Sequence, residues 1–165
     1  MRNLFVLCAL LILLLSCSKK KRAIKGDTEF QRELNADYRD ATKSPLKNRD
    51  RKNFEGLDFF KFDSTFIVKA NFKRTPNEKT FKMKTTTDRE PIYVKYGELT
   101  FNLKGELFKL NIYQNQDLIE KEGFENYLFL PFLDETNGLE SYGGGRYVDV
   151  RIPESDTMEI DFNTA

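Results

Sequence analysis

The sequence has no histidine and no tryptophan, and its two cysteines, Cys8 and Cys17, both lie in the first apolar stretch. A folded body without histidine or cysteine cannot build a Ser-His-Asp or Cys-His catalytic site, a zinc site with nitrogen or sulfur ligands, or an internal disulfide. What remains is the chemistry of carboxylates, amines, guanidinium groups and hydroxyls, together with metals that oxygen ligates. These absences exclude most familiar hydrolase mechanisms and assign no function by themselves.

An excess of one charge is also absent, because 27 basic and 26 acidic residues leave a net charge of +1 over 165 residues. The hydrophobic share is 39% and the aromatic share 13%. This composition is typical of a packed domain and not of a disordered acidic or basic tail. With no internal repeat or linker, the sequence predicts a single domain over residues 27–165.

The longest hydrophobic run lies at the N-terminus, where Arg2 precedes about a dozen uncharged apolar residues, 4–15. A transmembrane helix needs about 20 residues, so the run fits the apolar core of a secretory signal peptide better. It ends in Leu14-Leu15-Ser16-Cys17, which resembles a bacterial lipobox. The resemblance implies a signal peptide over residues 1–16, removal of that peptide, and a diacylglycerol group and palmitate-like acyl chains on Cys17. The alternative is an anchor or core helix with an incidental cysteine.

A basic segment follows this cysteine, with Lys19, Lys20, Lys21, Arg22 and Lys25 inside a predicted membrane-proximal tether over residues 17–26. Next to an acylated cysteine, each of these cations contributes about 1 kcal/mol of attraction to an anionic leaflet. A plain solvated tether is compatible with this interpretation, and nucleic-acid binding is not expected outside the cytoplasm.

The residue after the cysteine is Ser18 and not aspartate, which resembles lipoproteins sent to the outer membrane in enterobacteria. The basic tether does not resemble the acidic export tag of surface lipoproteins in the Bacteroides group. We therefore expect an outer-membrane lipoprotein that faces the periplasm.

The body of the chain changes its hydrophobic period once. Thr28 and Gln31 are typical of a capping box and predict a helix over 28–42, and Ser44-Pro45 predicts a second short helix that runs to about Asn53. Beyond residue 66 the period becomes 2, which predicts seven or so strands, with one over 92–96, another over 99–103 and a clear hairpin at Lys104-Gly105-Glu106. The predicted fold class is α+β, with one or two N-terminal helices followed by a mostly antiparallel curled sheet or small β-barrel. Fourteen of the 15 phenylalanines follow the signal peptide, and they are expected to lie mostly in the core.

Oxygen-bearing residues crowd the segment Asp134-Glu135-Thr136-Asn137-Gly138, with Glu140 close by. The glycine is at the fifth place and no glutamate follows at the twelfth, so the EF-hand spacing is absent. Asn-Gly between two predicted strands already favours a hairpin turn. A turn and a cation site are the two interpretations.

The segment Tyr142-Gly143-Gly144-Gly145-Arg146-Tyr147 combines bare backbone N–H groups with a guanidinium that suits a carboxylate or phosphate. It lacks the Gly-Lys-Ser/Thr ending of a phosphate-binding P-loop. A bulge or tip at a sheet edge is the alternative to an anion site.

The third feature is Asp161-Phe162-Asn163 near the end of the sequence. Phe162 is expected to point inward, and the carboxylate and amide could meet Arg146 across the sheet. That contact would serve equally well as an internal salt bridge. Carboxylate catalysis needs two carboxyl groups with separated pKa values, and Asp134 with Asp161 is the one pair we would nominate.

Five segments of the sequence carry a family resemblance: Ser44-Pro45-Leu46, residues 54–60, residues 130–136, residues 142–147 and residues 161–163. Together they resemble the family catalogued as domain of unknown function 1684, over about residues 29–165. The resemblance implies an exported or envelope protein in many members and no established activity. Family members continue into a tail rich in Asn-Pro, Cys and Pro-Pro, whereas this sequence stops at Ala165, which suggests a truncated product.

The leading functional prediction is an envelope binding module for a small anionic ligand or an envelope partner, with no cofactor and no bound metal. In it, Arg146 and the glycine backbone hold the anion, Tyr142 walls the site, and Asp161 with Asn163 orients the arginine. The alternatives are a carboxylate-based hydrolase, perhaps assisted by a divalent cation, and a structural envelope protein without a pocket. The predicted site residues are Asp134, Thr136, Tyr142, Gly144, Gly145, Arg146, Asp161 and Asn163.

Overall fold

A computed structural model describes residues 26–165, which fall into two compact units, one ending at Phe60 and the other comprising Lys61–Ala165. The predictions for the signal peptide, for Cys17 and for all of the basic tether except Gly26 lie outside the described residues. Within residues 26–165, no helix is both long enough and apolar enough to cross a membrane. The single-domain prediction over residues 27–165 stays a prediction.

The first unit contains two helices, α1 at Glu29–Arg39 and α2 at Asn48–Lys52. The predicted cap of α1 is confirmed, because the side chain of Thr28 accepts a hydrogen bond from the backbone N–H of Gln31 at 3.2 Å. The predicted start of α2 at Ser44-Pro45 is wrong. The hydroxyl of Ser44 instead accepts the N–H of Leu46 at 3.2 Å, which makes a local turn, and α2 begins four residues later.

The buried face of α1 carries two amides, Gln31 and Asn35. Gln31 donates from Nε2 to the carbonyl oxygen of Phe60 at 3.2 Å, and Asn35 accepts the N–H of Leu57 at 2.8 Å. These bonds satisfy backbone groups of an extended segment that has no strand partner of its own. The amides therefore fasten residues 57–60 to the helix.

The second unit is an antiparallel sheet curled into a half-barrel, which confirms the predicted α+β class. The strands pair in the order β6-β5-β4-β3-β1-β7, with β2 paired to the outer part of β3. The edge strands β6 and β7 approach each other. Single 3-10 turns at Ser64–Phe66 and Phe162–Thr164 flank the first and last strands. The strands are β1 Ile67–Arg74, β2 Thr80–Lys82, β3 Ile92–Leu103, β4 Glu106–Asn115, β5 Tyr127–Phe132, β6 Arg146–Arg151 and β7 Thr157–Asp161.

One long strand, β3, replaces the two strands predicted over residues 92–103, because a bulge between Lys95 and Gly97 shifts the alternation without ending the strand. The hairpin between β3 and β4 is confirmed. Its two loop residues have positive φ angles, 52° at Lys104 and 87° at Gly105, which match the twist of a two-residue turn.

The buried core of the sheet unit is mainly aliphatic. It comprises Val68, Ala70, Leu99, Phe101, Ile112, Leu128, Leu130, Val148, Ile160 and Phe162. The expectation that the phenylalanines lie mostly in the core is wrong, because Phe101 and Phe162 are the two that are buried among those of residues 26–165. Small and branched side chains fill the concave side of a tightly curled sheet, while several phenylalanines, including Phe81 and Phe124, remain exposed.

Candidate functional site

Asp134 and Asp161 start the same local turn at the same end of the sheet. Asp134 follows β5 and Asp161 ends β7, and these two strands run in the same direction because every pairing in the sheet is antiparallel. Each carboxylate accepts the backbone N–H two residues later, Thr136 at 2.8 Å and Asn163 at 2.9 Å. Such Asx turns are a general property of aspartate, so the tertiary partners decide what each turn does.

The partner of Asp134 is Arg146, the first residue of β6. The guanidinium donates to Oδ2 of Asp134 from Nε at 3.1 Å and also from Nη2. Oδ1 accepts from the backbone N–H and the hydroxyl of Thr136. Both carboxylate oxygens are therefore engaged, and both charged side chains are partly buried.

The pKa of Asp134 lies below its ordinary value. Partial burial alone would raise the pKa, but the hydrogen bonds from Thr136 and from the Arg146 guanidinium outweigh burial and lower it. The carboxylate is therefore ionised at neutral pH and is a weak proton acceptor there. This is unfavourable for a general base.

A second set of polar contacts folds residues 133–145, hereafter the Leu139 loop, onto itself. Oδ1 of Asn137 accepts the N–H of Asp134 at 2.6 Å, and its Nδ2 donates to the Ser141 hydroxyl at 2.9 Å and to the Tyr142 carbonyl at 3.1 Å. The carbonyl of Thr136 accepts three backbone N–H groups, from residues 139, 140 and 141. These bonds hold the loop in one conformation without a hydrophobic core of its own.

Two of the predicted site glycines have backbone reasons to be glycine. Gly145 has φ +104°, and a Cβ there would lie 3.0 Å from the carbonyl oxygen of Phe132. At Gly144, a Cβ would collide with the ring of Tyr142. Both positions shape the entry into β6, which supports the interpretation of this segment as a bulge or tip at a sheet edge.

The ordered Leu139 loop displays large apolar side chains. Leu139 is 85% exposed, Leu133 is 74% exposed and Tyr142 is 64% exposed. Sequence reasoning identified Tyr142 as a pocket wall and missed both leucines. The available signal was a leucine placed between Gly138 and Glu140, outside any strand or helix period.

Asp161 and Asn163 have a different set of partners. The side chain of Asn163 accepts the backbone N–H of Asp63 at 2.9 Å and donates to the carbonyl of the same residue at 3.1 Å. It also donates to the carboxylate of Asp161 at 2.7 Å. These bonds join two parts of the chain that are 100 residues apart, just before the first strand and just after the last.

The two clusters are neighbours through the ring of Phe132. The Arg146 guanidinium lies 5.1 Å from the centre of this ring, and the ring of Phe162 packs edge-on against it at 5.1 Å. The carboxylate that bonds the guanidinium is Asp134, although the sequence analysis gave this orienting role to Asp161. The Leu139 loop with Arg146 thus unites Asp134, Thr136, Tyr142, Gly144, Gly145 and Arg146, and Asp161 with Asn163 forms the second cluster.

The geometry limits the chemistry of this end of the sheet. Within residues 26–165, no three acidic, histidine or cysteine side chains converge as a metal-binding group. Two shallow concavities of the surface are lined by residues 75–78 and by residues 84–90, outside the Leu139 loop. The Leu139 loop is thus a segment between β5 and β6 that its own hydrogen bonds hold in order.

Comparison with known proteins finds a solved structure of similar fold and a matching protein family. The solution NMR structure of an uncharacterised protein from Haloarcula marismortui is 28% identical, covers 81% of this chain and 71% of its own, and superposes with a TM-score of 0.59. No curated protein matches the chain. A family model matches residues 52–165, a shorter stretch than the resemblance over residues 29–165 implied. The chain therefore belongs to the family described as Protein of unknown function (DUF1684).

Proposed function

We propose that this chain is a lipid-anchored interaction module of the cell envelope, and that the Leu139 loop binds a protein partner. The observation that carries the proposal is the exposure of Leu133, Leu139 and Tyr142 on a loop that polar contacts already hold in place. Exposed apolar groups on an ordered loop over a rigid sheet are typical of binding surfaces.

Order in the unbound state favours binding energetically. A flexible loop would lose conformational freedom on association, at about 0.5–1.5 kcal/mol for each immobilised side chain. In the Leu139 loop, Asn137 and the Asp134–Arg146 pair fix the backbone beforehand. Their role in the proposal is to position the loop, and the leucines and Tyr142 make the contacts with the partner.

The same pairing argues against the small anionic ligand that we first predicted. The carboxylate of Asp134 occupies the Nε/Nη2 edge of the guanidinium and balances its charge. A ligand carboxylate or phosphate would have to use the remaining edge, beside an existing negative charge. Arg146 therefore serves the loop better as a structural anchor than as an anion receptor.

The same contacts also argue against the carboxylate hydrolase. Both oxygens of Asp134 already accept hydrogen bonds, and one oxygen of Asp161 accepts from the backbone and side chain of Asn163.

The membrane anchor in the proposal is the acylated Cys17, with the basic tether against the headgroups and the body in the periplasm. Its support is the lipobox-like sequence at the end of an apolar run too short to span a bilayer. Cys17→Ala should move the protein out of the membrane fraction and abolish labelling by a palmitate analogue. Cys8→Ala is the matched control and should change neither result. A Cys17→Ala protein that remains acylated would refute the anchor.

The loop is tested by placing a photo-crosslinking amino acid at position 139 in the full chain, in cells. Position 107 is the matched control, because Leu107 is also a leucine that is 71% exposed, on strand β4. We expect a discrete protein adduct from position 139 that position 107 does not give and that Arg146→Ala weakens. Identical adducts from both positions, or none from position 139, would refute a partner-binding role for the loop.

A further inference from the structure

The outer side of the sheet carries a row of aromatic side chains, hereafter the aromatic face. On β4 and β5 these residues alternate with buried ones: Phe129 lies between the buried Leu128 and Leu130, and Tyr113 follows the buried Ile112. Antiparallel sheets with one core side usually carry polar residues on the other side. The aromatic face comprises Phe81, Tyr93, Tyr113, Tyr127, Phe129 and Tyr147.

The rings make a platform drawn from five strands, in which the contacting pairs are tilted by 43° to 72° to one another. Tyr113 lies directly opposite Phe129 in the pairing of β4 with β5, and Phe81 lies opposite Tyr93 in the pairing of β2 with β3. Ring centres are 5.8 Å apart for Tyr93 and Phe129, 5.2 Å for Phe129 and Tyr147, and 5.7 Å for Phe81 and Tyr113. Phe81 and Tyr147, near the two ends of the platform, are exposed.

Polar groups of both signs border the platform. The hydroxyl of Tyr127 donates to the exposed carboxylate of Asp149 at 2.6 Å, and the guanidinium of Arg151 lies 5.7 Å from the centre of the Tyr127 ring. Burial and the bond to Asp149 raise the pKa of Tyr127, so the phenol keeps its proton. On the same side, Lys95 lies opposite Tyr113 and pairs with Glu98 at 2.6 Å.

We propose that the aromatic face is a second binding site, and that its ligand is a neutral oligosaccharide. A sugar ring presents C–H groups on its flat side and hydroxyls around its rim. Aromatic rings match the flat side, and a carboxylate with a nearby guanidinium matches the hydroxyls. The site is independent of the Leu139 loop and extends the proposed function.

The charges around the platform distinguish this ligand from other flat or apolar partners. Single-stranded nucleic acid would need a positive groove beside the stacking rings, whereas Asp149 and Glu98 place carboxylates next to Arg151 and Lys95. Insertion of the face into a lipid surface would take these ionised side chains out of water, which is costly. An uncharged ligand that is rich in hydroxyls suits a platform of mixed charge.

The test uses the full chain in a detergent without a sugar headgroup, with cellotetraose and chitotetraose as probes. Since the chain has no tryptophan, its intrinsic emission comes from seven tyrosines, and four of these belong to the aromatic face. We expect a saturable change in tyrosine emission with at least one probe. The double variant Phe81→Ala with Tyr147→Ala should weaken binding about tenfold or more. Tyr147→Phe, which keeps the ring, should bind within about threefold of the parent.

Leu107→Ala, which removes an exposed apolar side chain outside the aromatic face, is the control and should leave binding unchanged. Backbone amide shifts of the unmodified chain provide a second measurement that needs no variant. Shifts confined to β2–β6 around the platform would support the site. Absence of saturable binding with both probes, shifts elsewhere, or full affinity in the double variant would overturn the proposal.

Discussion

Asp134 and Asp161 begin the same kind of turn but stabilise different parts of the fold. Asp134 belongs to a network that spans 12 positions of the chain, up to Arg146, and holds the Leu139 loop in order. Asp161 supports Asn163, which joins segments 100 positions apart at the two ends of the sheet unit. The comparison teaches that an aspartate two residues before a threonine or asparagine specifies a turn, while its tertiary partner specifies a role.

The two networks differ in the sequence separation that they bridge, and this separation determines whether a network stabilises the whole sheet unit or only one loop. Contacts between distant segments tie the two ends of the sheet unit together, so we expect them to contribute to its global stability. Contacts within a short loop can open while the sheet stays folded. The Asp161 cluster should therefore govern global unfolding, and the Asp134 cluster should govern only the order of the Leu139 loop.

The largest effect is expected from Phe162→Ala, which removes the ring that contacts both Phe101 and Phe132. Truncation of a buried phenylalanine costs about 3–5 kcal/mol of the free energy of unfolding. Urea denaturation followed by far-UV circular dichroism measures this loss. A loss below about 1 kcal/mol would contradict the placement of Phe162 in the core.

A pair of asparagine variants tests the comparison directly. Asn163→Ala leaves the backbone groups of Asp63 without their partners and should reduce global stability by about 2–3 kcal/mol. Asn137→Ala removes bonds of similar number within the Leu139 loop and should reduce global stability by less than about 1 kcal/mol. Limited proteolysis should nevertheless cut the Asn137→Ala protein in the loop. Equal losses of the free energy of unfolding for the two variants in urea would contradict the proposed difference between the two networks.

The pH dependence of the loop follows from the lowered pKa of Asp134. Because the pKa of this carboxyl in the folded protein is below its ordinary value of 3.8, ionised Asp134 stabilises the loop above pH 3.8. That contribution is lost as the pH falls through the lower native pKa. The amide shift of Thr136 should titrate with a midpoint below 3.8, and Arg146→Gln should move the midpoint upward. A native midpoint at or above 3.8 would contradict the pairing.

Local chemistry made part of this structure predictable. The capping residues of α1, the positive-φ turn at Lys104-Gly105 and the period-2 strands depend on neighbours in sequence, and the structure has them. The bulge that merges two predicted strands into β3 depends on pairing with β4, so the pattern of one strand could not reveal it. The choice of Asp134 over Asp161 as the partner of Arg146 depends on the curl of the whole sheet.

The smallest effect is expected from Gly138→Ala. Gly138 has φ +78°, which alanine adopts at a cost of about 1–2 kcal/mol. The strain should loosen the Leu139 loop, seen as faster exchange of its amides, with little change in global unfolding. Gly143→Ala is the control, because a Cβ there would meet Gly138 at an ordinary 3.7 Å. Equal effects of both substitutions would contradict the claim that the positive φ of Gly138 keeps the loop ordered.

The central claim is that the Asp134–Arg146 pair keeps the Leu139 loop ordered while its leucines stay exposed to solvent. Amide hydrogen exchange measured residue by residue, in the parent and in Arg146→Ala, tests it most directly. The account predicts slow exchange of the Thr136 and Ser141 amides in the parent, fast exchange of both in the variant, and unchanged protection of β4 and β5. Fast exchange of these two amides in the parent, or slow exchange in both proteins, would contradict it.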